Sequence, residues 1–262
     1  MGEGERAIRG ILFDLDGVLY VGSQPIPGAV EAVDQVRASG RLCRFITNTS
    51  TQSLASLQRK LKELGFTLTA EEILSAPQAT LRYLREVGST CHLLLAEDVA
   101  ADFTGIPQVP LEEAEYLVLG DIGSAWTYEL LNRMFNAIMH GARLIAVHKN
   151  RFWQTEQGLR MDIGGFVAAL EYCTGTRALI MGKPSEEFFA VALRDLGLPA
   201  HRVAIVGDDI ESDVGGGQAV GLTGILVRTG KFREEYVAKS PVRPDYVIDS
   251  VSDLPRLLGI TG

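Results

Sequence analysis

Two aspartates separated by one residue follow the first strand-like run of the sequence. Residues 8–13 are mostly apolar and lead directly into Asp14 and Asp16, which precede Gly17. Residues two apart in an extended segment face the same way, so both carboxylates can approach one reacting atom. Directly after a strand, the pair is placed where a functional site would lie in an open α/β sheet. An Asp-Gly turn would place the same residues here for structural reasons alone.

A second group of acids follows another apolar run late in the chain. Asp208 and Asp209 come shortly after the run 203–206, and Asp213 follows them. Two carboxylates about 4 Å apart repel by about 4 kcal/mol at an effective dielectric constant of about 20. A hard divalent cation with oxygen ligands would neutralise such a group, and Mg²⁺ is the ordinary choice. One of these acids can instead be a helix N-cap, and the role of Asp209 is left open.

Hydroxyl, amide and ammonium groups stand at two further strand ends. Thr47 and Asn48 follow the run 42–46, and Lys183 follows the run 179–181. Hydroxyl and backbone N–H groups at a strand end can hold phosphate oxygens, and the start of the helix after Lys183 also favours an anion. Taken singly, each group has a plainer interpretation as a helix cap or a surface charge.

The elements that must position these residues alternate along the chain. Short apolar runs predict strands, and segments with helical spacing lie between them, such as 53–64 and 186–196. Strands buried on both faces and alternating with helices predict an α/β fold with a doubly wound parallel sheet. In such sheets ligands bind beyond the carboxyl ends of the strands, where all the groups above are expected.

Composition excludes several classes of function. The chain has 262 residues, of which 46% are hydrophobic, so it can bury a full core without disulfides. Its 25 basic and 33 acidic residues give a net charge of −8, and it has no basic run, which argues against nucleic acid or an anionic membrane as a partner. No apolar run reaches the ~18 residues of a membrane span. The scattered cysteines and the lack of a signal-peptide pattern lead us to expect a cytoplasmic protein.

In chain order, the acid pair, the Thr-Asn pair, the lysine and the acid cluster resemble the four signature motifs of the haloacid dehalogenase superfamily of Mg²⁺-dependent phosphatases. The resemblance implies that Asp14 attacks phosphorus to form an aspartyl phosphate, and that Asp16 acts first as an acid and then as a base. It also implies that Thr47, Asn48 and Lys183 hold the phosphoryl oxygens.

The same resemblance implies where Mg²⁺ would be held. The expected ligands are the Asp14 carboxylate, the main-chain carbonyl of Asp16 and the Asp208 carboxylate, with Asp213 orienting the water molecules of the ion. The substrate implied is a small-molecule phosphate ester. Since relatives often pair through an inserted domain, a homodimer is the default expectation.

Spacing predicts an inserted domain. Thr47 and Lys183 are about 136 residues apart, whereas one helix with its connections needs only about 30. We expect residues 1–77 and 180–262 to form the core and residues 78–179 to form an α/β cap. The chain is therefore similar to the branch of the superfamily that carries the larger cap between the second and third motifs. Those members whose motifs look nearest carry serine where this chain has Asp16, and this difference favours ordinary phosphomonoester hydrolysis.

One loop of the predicted cap carries the candidates for substrate choice. Segment 148–154 combines cationic, amide and aromatic side chains after a predicted strand. We expect Lys149 or Arg151 to contact a second anionic or polar group of the substrate, while a solvated loop with packed rings explains the composition equally well.

Other functions use some of the same residues. A phosphomutase would also need Asp16, and a non-catalytic binding protein could retain the scaffold. A phosphorylatable receiver domain lacks the insertion, and a dehalogenase has no use for the acid cluster.

Overall fold

The computed structural model describes residues 7–155 and 158–260. In chain order its strands are β1 (Gly10–Asp14), β2 (Tyr20–Val21), β3 (Gln24–Pro25), β4 (Leu42–Thr47), β5 (Ile73–Ser75), β6 (Cys91–Leu94), β7 (Tyr116–Leu119), β8 (Arg143–Ala146), β9 (Phe152–Thr155), β10 (Gly158–Met161), β11 (Leu179–Ile180), β12 (Val203–Gly207), β13 (Thr223–Val227) and β14 (Tyr246–Ile248). Its α-helices are α1 (Ala29–Ala38), α2 (Leu54–Glu63), α3 (Ala76–Val87), α4 (Glu97–Ala100), α5 (Tyr128–Met139), α6 (Gly164–Thr174), α7 (Glu186–Leu196), α8 (Gly216–Ala219), α9 (Glu234–Lys239) and α10 (Leu254–Leu257).

The chain divides into two compact units that alternate along the sequence. The first consists of Met1–Thr47, Gln58–Leu74 and Lys183–Gly262, and the second of Asn48–Leu57 and Ser75–Gly182. Helix α2 therefore begins in the second unit and ends in the first. None of the helices in the described ranges has the length and apolar character that crossing a membrane requires.

The first unit contains a six-stranded sheet with the order β14-β13-β12-β1-β4-β5. Strand β1 lies between β4 and β12 and runs parallel to both. The chain passes from β1 to β4 on one side and returns through β12 to β13 on the other, so the direction of winding reverses beside β1. This order confirms the predicted doubly wound α/β fold, and such a reversal is where these sheets bind ligands.

Register brings the ends of three strands to one level. Asp14 pairs with Ile46, and Phe13 pairs with Val206. Every residue of β1 and β12 is buried, which explains why both strands are apolar apart from Asp14. Thr47 and Asp208, each one or two residues beyond these pairs, therefore follow strands that end beside Asp14.

Helix α7 of the first unit begins and ends where the sequence predicts, and α1 has one apolar face. Residues 29, 32, 33 and 36 of α1 are buried, a spacing that keeps one face of a helix apolar. Helix α7 begins after Ser185, whose hydroxyl accepts a hydrogen bond from the N–H of Phe188. It ends at Gly197, which has a positive φ of 64°.

The second unit has its own sheet and its own core. Strands β11, β8, β7 and β6 form a parallel sheet in that order, and β9 and β10 form an antiparallel hairpin. Residues of β7, β8, α5 and α6 pack together in one apolar cluster, among them Leu117, Leu144, Met134 and Val167. A hydrophobic core of this kind is what a separately folding domain requires.

Candidate active site

A buried lysine bridges two of the predicted acids. Asp14 ends β1, and its Oδ1 lies 2.5 Å from Nζ of Lys183. The same nitrogen lies 2.6 Å from Oδ1 of Asp213. Lys183 is only 3% exposed. Desolvation lowers its pKa, but the charges of Asp14 and Asp213 outweigh this effect and raise the pKa above its usual value. Lys183 therefore remains an ammonium ion throughout the ordinary pH range.

Three buried carboxylates converge beside this lysine. Asp14, Asp208 and Asp213 each offer an oxygen atom, and these atoms all lie within 4.8 Å of one another. Oδ2 of Asp208 accepts a hydrogen bond from the N–H of Lys231 at 2.7 Å. Its other oxygen, Oδ1, is buried, and no hydrogen-bond donor reaches it among the residues that the structure describes.

The pKa values of two of these carboxyl groups are raised. Burial, followed by repulsion from Asp14 and Asp213, raises the pKa of Asp208 well above its usual range. Burial raises the pKa of Asp213 to about 6, although the nearby Lys183 acts in the opposite direction. One ammonium is thus too little positive charge for three buried acids. A divalent cation fits this site, because the donors are all oxygen and one buried oxygen has no other described partner.

A tight loop after β1 presents Asp16 differently from the buried acids. The N–H of Gly17 donates to the carbonyl of Tyr20 at 2.7 Å, and Gly17 has a φ of +88°. A Cβ atom on Gly17 would lie 1.9 Å from Oδ2 of Asp208, so only glycine fits here. The side chain of Asp16 is exposed. The surrounding protein still desolvates it enough to raise its pKa, and Lys60 opposes that rise more than any other charge.

A second loop, which contains Thr229 and Gly230, packs against the loop that carries Asp16. The hydroxyl of Thr229 donates to the carbonyl of Gly17 at 2.5 Å. A Cβ atom on Gly230 would lie 2.1 Å from Oδ2 of Asp208 and 2.5 Å from Cα of Gly17. The two glycines therefore let the loops pack closely around the Asp208 carboxylate. This close packing holds the main chain near Asp16 in place.

The residues of the second predicted motif divide between the two units. Thr47 ends β4, is buried, and belongs to the first unit with Asp14. Asn48 belongs to the second unit, where its Nδ2 donates to Oδ1 of Asn150 at 3.4 Å. Within the first unit, the structure thus brings Asp14, Lys183 and the acid cluster together beside the strand end that carries Thr47. The predicted phosphate-binding role of Asn48 remains a prediction.

The open question about Asp209 has a structural answer. Its Oδ1 accepts hydrogen bonds from the N–H groups of Glu211 at 3.0 Å and Ser212 at 2.9 Å. Asp209 is therefore the N-cap of the helical turn Ile210–Gly215. That turn places Asp213, one of the three clustered acids.

The two predicted substrate-binding residues of the second unit lie in different surroundings. The ammonium of Lys149 forms an ion pair with the carboxylate of Glu171. Arg151 is exposed, and its guanidinium carbon lies 5.8 Å from the centroid of the Phe152 ring. Their proposed contact with a substrate remains a prediction.

Comparison with known proteins identifies the family. A family model described as haloacid dehalogenase-like hydrolase matches residues 11–106, and one described as HAD-hydrolase-like matches residues 180–254. Phospholysine phosphohistidine inorganic pyrophosphate phosphatase of Mus musculus is 38% identical over 257 residues, which cover 96% of this chain and 94% of that protein. The chain belongs to the haloacid dehalogenase-like hydrolase family.

Other members of the family resemble this chain over most of their length. Haloacid dehalogenase-like hydrolase domain-containing protein 2 of Mus musculus is 39% identical over 87% of both chains. The structure of p-nitrophenyl phosphatase from Archaeoglobus fulgidus has a TM-score of 0.90 and is 33% identical, covering 96% of this chain and 99% of that one. The family predicted from the four motifs is thereby confirmed.

Sequence reasoning missed two lysines near Asp16 in this hydrolase. Nζ of Lys231 lies 3.8 Å from Oδ2 of Asp209, and four carboxylates raise the pKa of Lys231 against the lowering effect of desolvation. Its position after β13, another strand of the same sheet, is a signal that could have identified it. Lys60 lies in the polar sequence of α2, and nothing in its spacing distinguishes it from a surface charge.

Replacing Asp208 with asparagine should make the metal-free hydrolase more stable, because a neutral amide removes one charge from three buried acids. An acid whose pKa is raised in the folded state destabilises the fold increasingly as the pH rises from its usual pKa toward the raised one. The gain should therefore be larger near pH 8 than near pH 5. Single substitutions typically change stability by about 1 kcal/mol, which corresponds to about 2–4 °C in Tm for a chain of this size, and a gain of that order is expected near pH 8.

Calorimetry in EDTA and then in excess Mg²⁺ measures both effects. Mg²⁺ should raise the Tm of the unaltered protein and leave the Asp208→Asn variant nearly unchanged. Asp34→Asn, at an exposed position on α1, is the matched control and should behave like the unaltered protein. A lower Tm of Asp208→Asn in EDTA at both pH values would contradict the electrostatic interpretation.

Proposed function

We propose that this hydrolase, a phosphatase like its named relatives, hydrolyses a small phosphomonoester with the help of Mg²⁺ through an aspartyl-phosphate intermediate. The observation that carries the proposal is the position of Lys183 between Asp14 and Asp213, beside a buried Asp208 oxygen that has no described donor. A nucleophilic carboxylate, a fixed cation and an all-oxygen cluster are the parts that phosphoryl transfer needs.

Mg²⁺ would be held by the carboxylates of Asp14 and Asp208 and the main-chain carbonyl of Asp16, with Asp213 beside them. When bound, the ion would neutralise the clustered acids and stabilise the charge on the transferring phosphoryl group. The names p-nitrophenyl phosphatase and 4-nitrophenylphosphatase of two structural neighbours support a phosphomonoester as the substrate class.

Asp14 acts as the nucleophile in this proposal. Its Oδ1 contacts Lys183, which fixes the orientation of the carboxylate and leaves the other oxygen to attack phosphorus. The P–O bond to the leaving group breaks as the Asp14–phosphorus bond forms. Lys183 and the hydroxyl of Thr47 would bind the non-bridging oxygens, whose negative charge is greatest in the transition state.

Asp16 moves the protons. It would protonate the departing oxygen in the first step and take a proton from the attacking water in the second. Its exposed side chain leaves room for a leaving group and for water. A desolvating environment that raises the pKa of this carboxyl favours the protonated form that a general acid requires.

The proposed function also includes a role for the second unit, the pairing of two copies and a compartment. The second unit would serve as a cap that shields the intermediate from bulk water, with Lys149 or Arg151 contacting the substrate. Pairing of two copies is proposed from the family. The three cysteines are free in the structure, in keeping with a reducing compartment such as the cytoplasm.

Hydrolysis of p-nitrophenyl phosphate, followed by release of inorganic phosphate, tests the proposal. Turnover should appear with Mg²⁺, vanish in EDTA and be weak with Ca²⁺, whose coordination shell is larger and looser. Asp14→Asn should abolish turnover while keeping the circular dichroism spectrum, because an amide is a poor nucleophile. Release of p-nitrophenol without free phosphate, with the phosphoryl group kept on the enzyme or passed to another hydroxyl, would indicate a phosphomutase. Binding without turnover would indicate a non-catalytic protein.

Asp16→Asn should affect substrates unequally. An alkyl ester has a basic leaving oxygen that needs a proton, whereas p-nitrophenolate departs with little help. We expect kcat to fall at least about 100-fold on an alkyl phosphate and much less on p-nitrophenyl phosphate. The rates of phosphate release from both esters, for the unaltered enzyme and for Asp16→Asn, measure this difference. Equal losses on the two esters would show that Asp16 is not the general acid.

A further inference from the structure

Lys60 occupies a defined position beside the loop that carries Asp16. It lies in α2, is partly buried, and its Nζ is 4.1 Å from the centroid of the Tyr20 ring. The Tyr20 side chain is only 2% exposed, so the ring is a fixed surface. A cation over an aromatic face is attracted by the electrons of the ring, which restrains an otherwise flexible side chain.

Tyr20 connects this lysine to the loop that carries Asp16. Asp16 and Tyr20 form a β-bridge, and the carbonyl of Tyr20 accepts from the N–H of Gly17. Among the charges near Asp16, Lys60 acts most strongly against the desolvation that raises the pKa of that carboxyl. Lys60 therefore lies near Asp16, which is the one charge that acts appreciably on it in return.

The ammonium of Lys60 differs from the other two lysines near the acids. Lys183 has two carboxylates within ion-pair distance, and Lys231 lies 3.8 Å from Asp209. No carboxylate among the described residues lies within 4 Å of Nζ of Lys60. Burial lowers the pKa of Lys60, and the charge of Asp16 offsets this only in part. A partly desolvated cation without an ion-pair partner is stabilised when an anion binds beside it.

We infer that Lys60 binds a second anionic group of the substrate, a carboxylate or a further phosphate located a few atoms from the ester oxygen. The inference rests on the proposed function, because it uses Asp16 to mark the leaving-group side. The phosphoryl group would occupy the pocket of Asp14 and Lys183, and the leaving group would extend past Asp16 toward the Tyr20 ring. Lys60 thereby selects phosphomonoesters that carry a negative charge on the leaving group.

Three esters of similar length test this selection. Phosphoglycolate carries a carboxylate on the leaving group, 2-hydroxyethyl phosphate carries a neutral hydroxyl, and phosphoethanolamine carries an ammonium. For the unaltered enzyme, kcat/KM should be highest for the carboxylate ester and lowest for the ammonium ester. Lys60→Met should lower kcat/KM for phosphoglycolate about fivefold, mainly through KM, since a solvent-accessible ion pair contributes at most about that factor. It should change the neutral ester by less than about twofold.

Two further variants separate recognition from structural damage. Lys60→Arg keeps the charge over the ring and should retain the preference for phosphoglycolate. Lys60→Glu should reverse the order, with phosphoethanolamine hydrolysed better than phosphoglycolate, which loss of folding cannot produce. Lys62→Met is the matched control, because Lys62 is exposed on the same helix, and it should leave all three values unchanged.

The outcomes distinguish this inference from the proposed function. The role of Lys60 is overturned, and the phosphatase activity stands, if all three esters release phosphate with no preference for the carboxylate ester. The same follows if Lys60→Met lowers kcat/KM equally for all three esters. A selective loss of kcat/KM for phosphoglycolate in Lys62→Met would also overturn the role of Lys60. No phosphate release from any ester, including p-nitrophenyl phosphate with Mg²⁺, overturns the proposed function and the inference with it.

Discussion

The contact of the Lys183 ammonium with the carboxylates of Asp14 and Asp213 governs the rest of the site. All three side chains are buried, and a buried charge is tolerated only when an opposite charge compensates it. A third acid, Asp208, joins the group, so the lysine alone leaves negative charge uncompensated. Burial, together with this imbalance, raises the pKa values of Asp208 and Asp213. The imbalance also makes the cluster suitable for a divalent cation. If Lys183 and a divalent cation together supply positive charge locally, an overall acidic hydrolase can bind a phosphate ester as proposed.

The architecture makes this crowding possible. Strand β1 is central, and its parallel neighbours β4 and β12 end at the same level, so residues distant in the chain meet at one edge of the sheet. Gly17 and Gly230 let two loops close around the Asp208 carboxylate, and the hydroxyl of Thr229 secures the carbonyl of Gly17. Asp209 caps the turn that brings Asp213 inward. Rigid surroundings of this kind hold catalytic groups in a reactive geometry without further rearrangement.

Local sequence signals predicted much of this arrangement. Helix α7 was predictable over 186–196 because Ser185 caps its start and Gly197 ends it. The position of the acid pair at the end of β1 was predictable because an apolar run directly precedes it. Interactions between distant residues were not predictable in this way. The hairpin of β9 and β10 falls in a segment whose composition suggested a loop, and Lys149 pairs with Glu171, 22 residues further along the chain. Lys60 acquires its environment only when the Asp16 loop places Tyr20 beneath it. Strand ends are encoded locally, whereas the partners of a charged side chain depend on the assembled fold.

If Asp14 is the nucleophile, it becomes covalently phosphorylated during turnover, and mass spectrometry of the acid-quenched enzyme detects that modification. Enzyme mixed with excess substrate and Mg²⁺, quenched within the first turnovers and digested should yield the peptide containing Asp14 with one added phosphoryl group. Hydroxylamine, which cleaves acyl phosphates, should remove that group. Rapid phosphate release from an enzyme whose Asp14 peptide stays unmodified at every quench time would exclude Asp14 as the nucleophile.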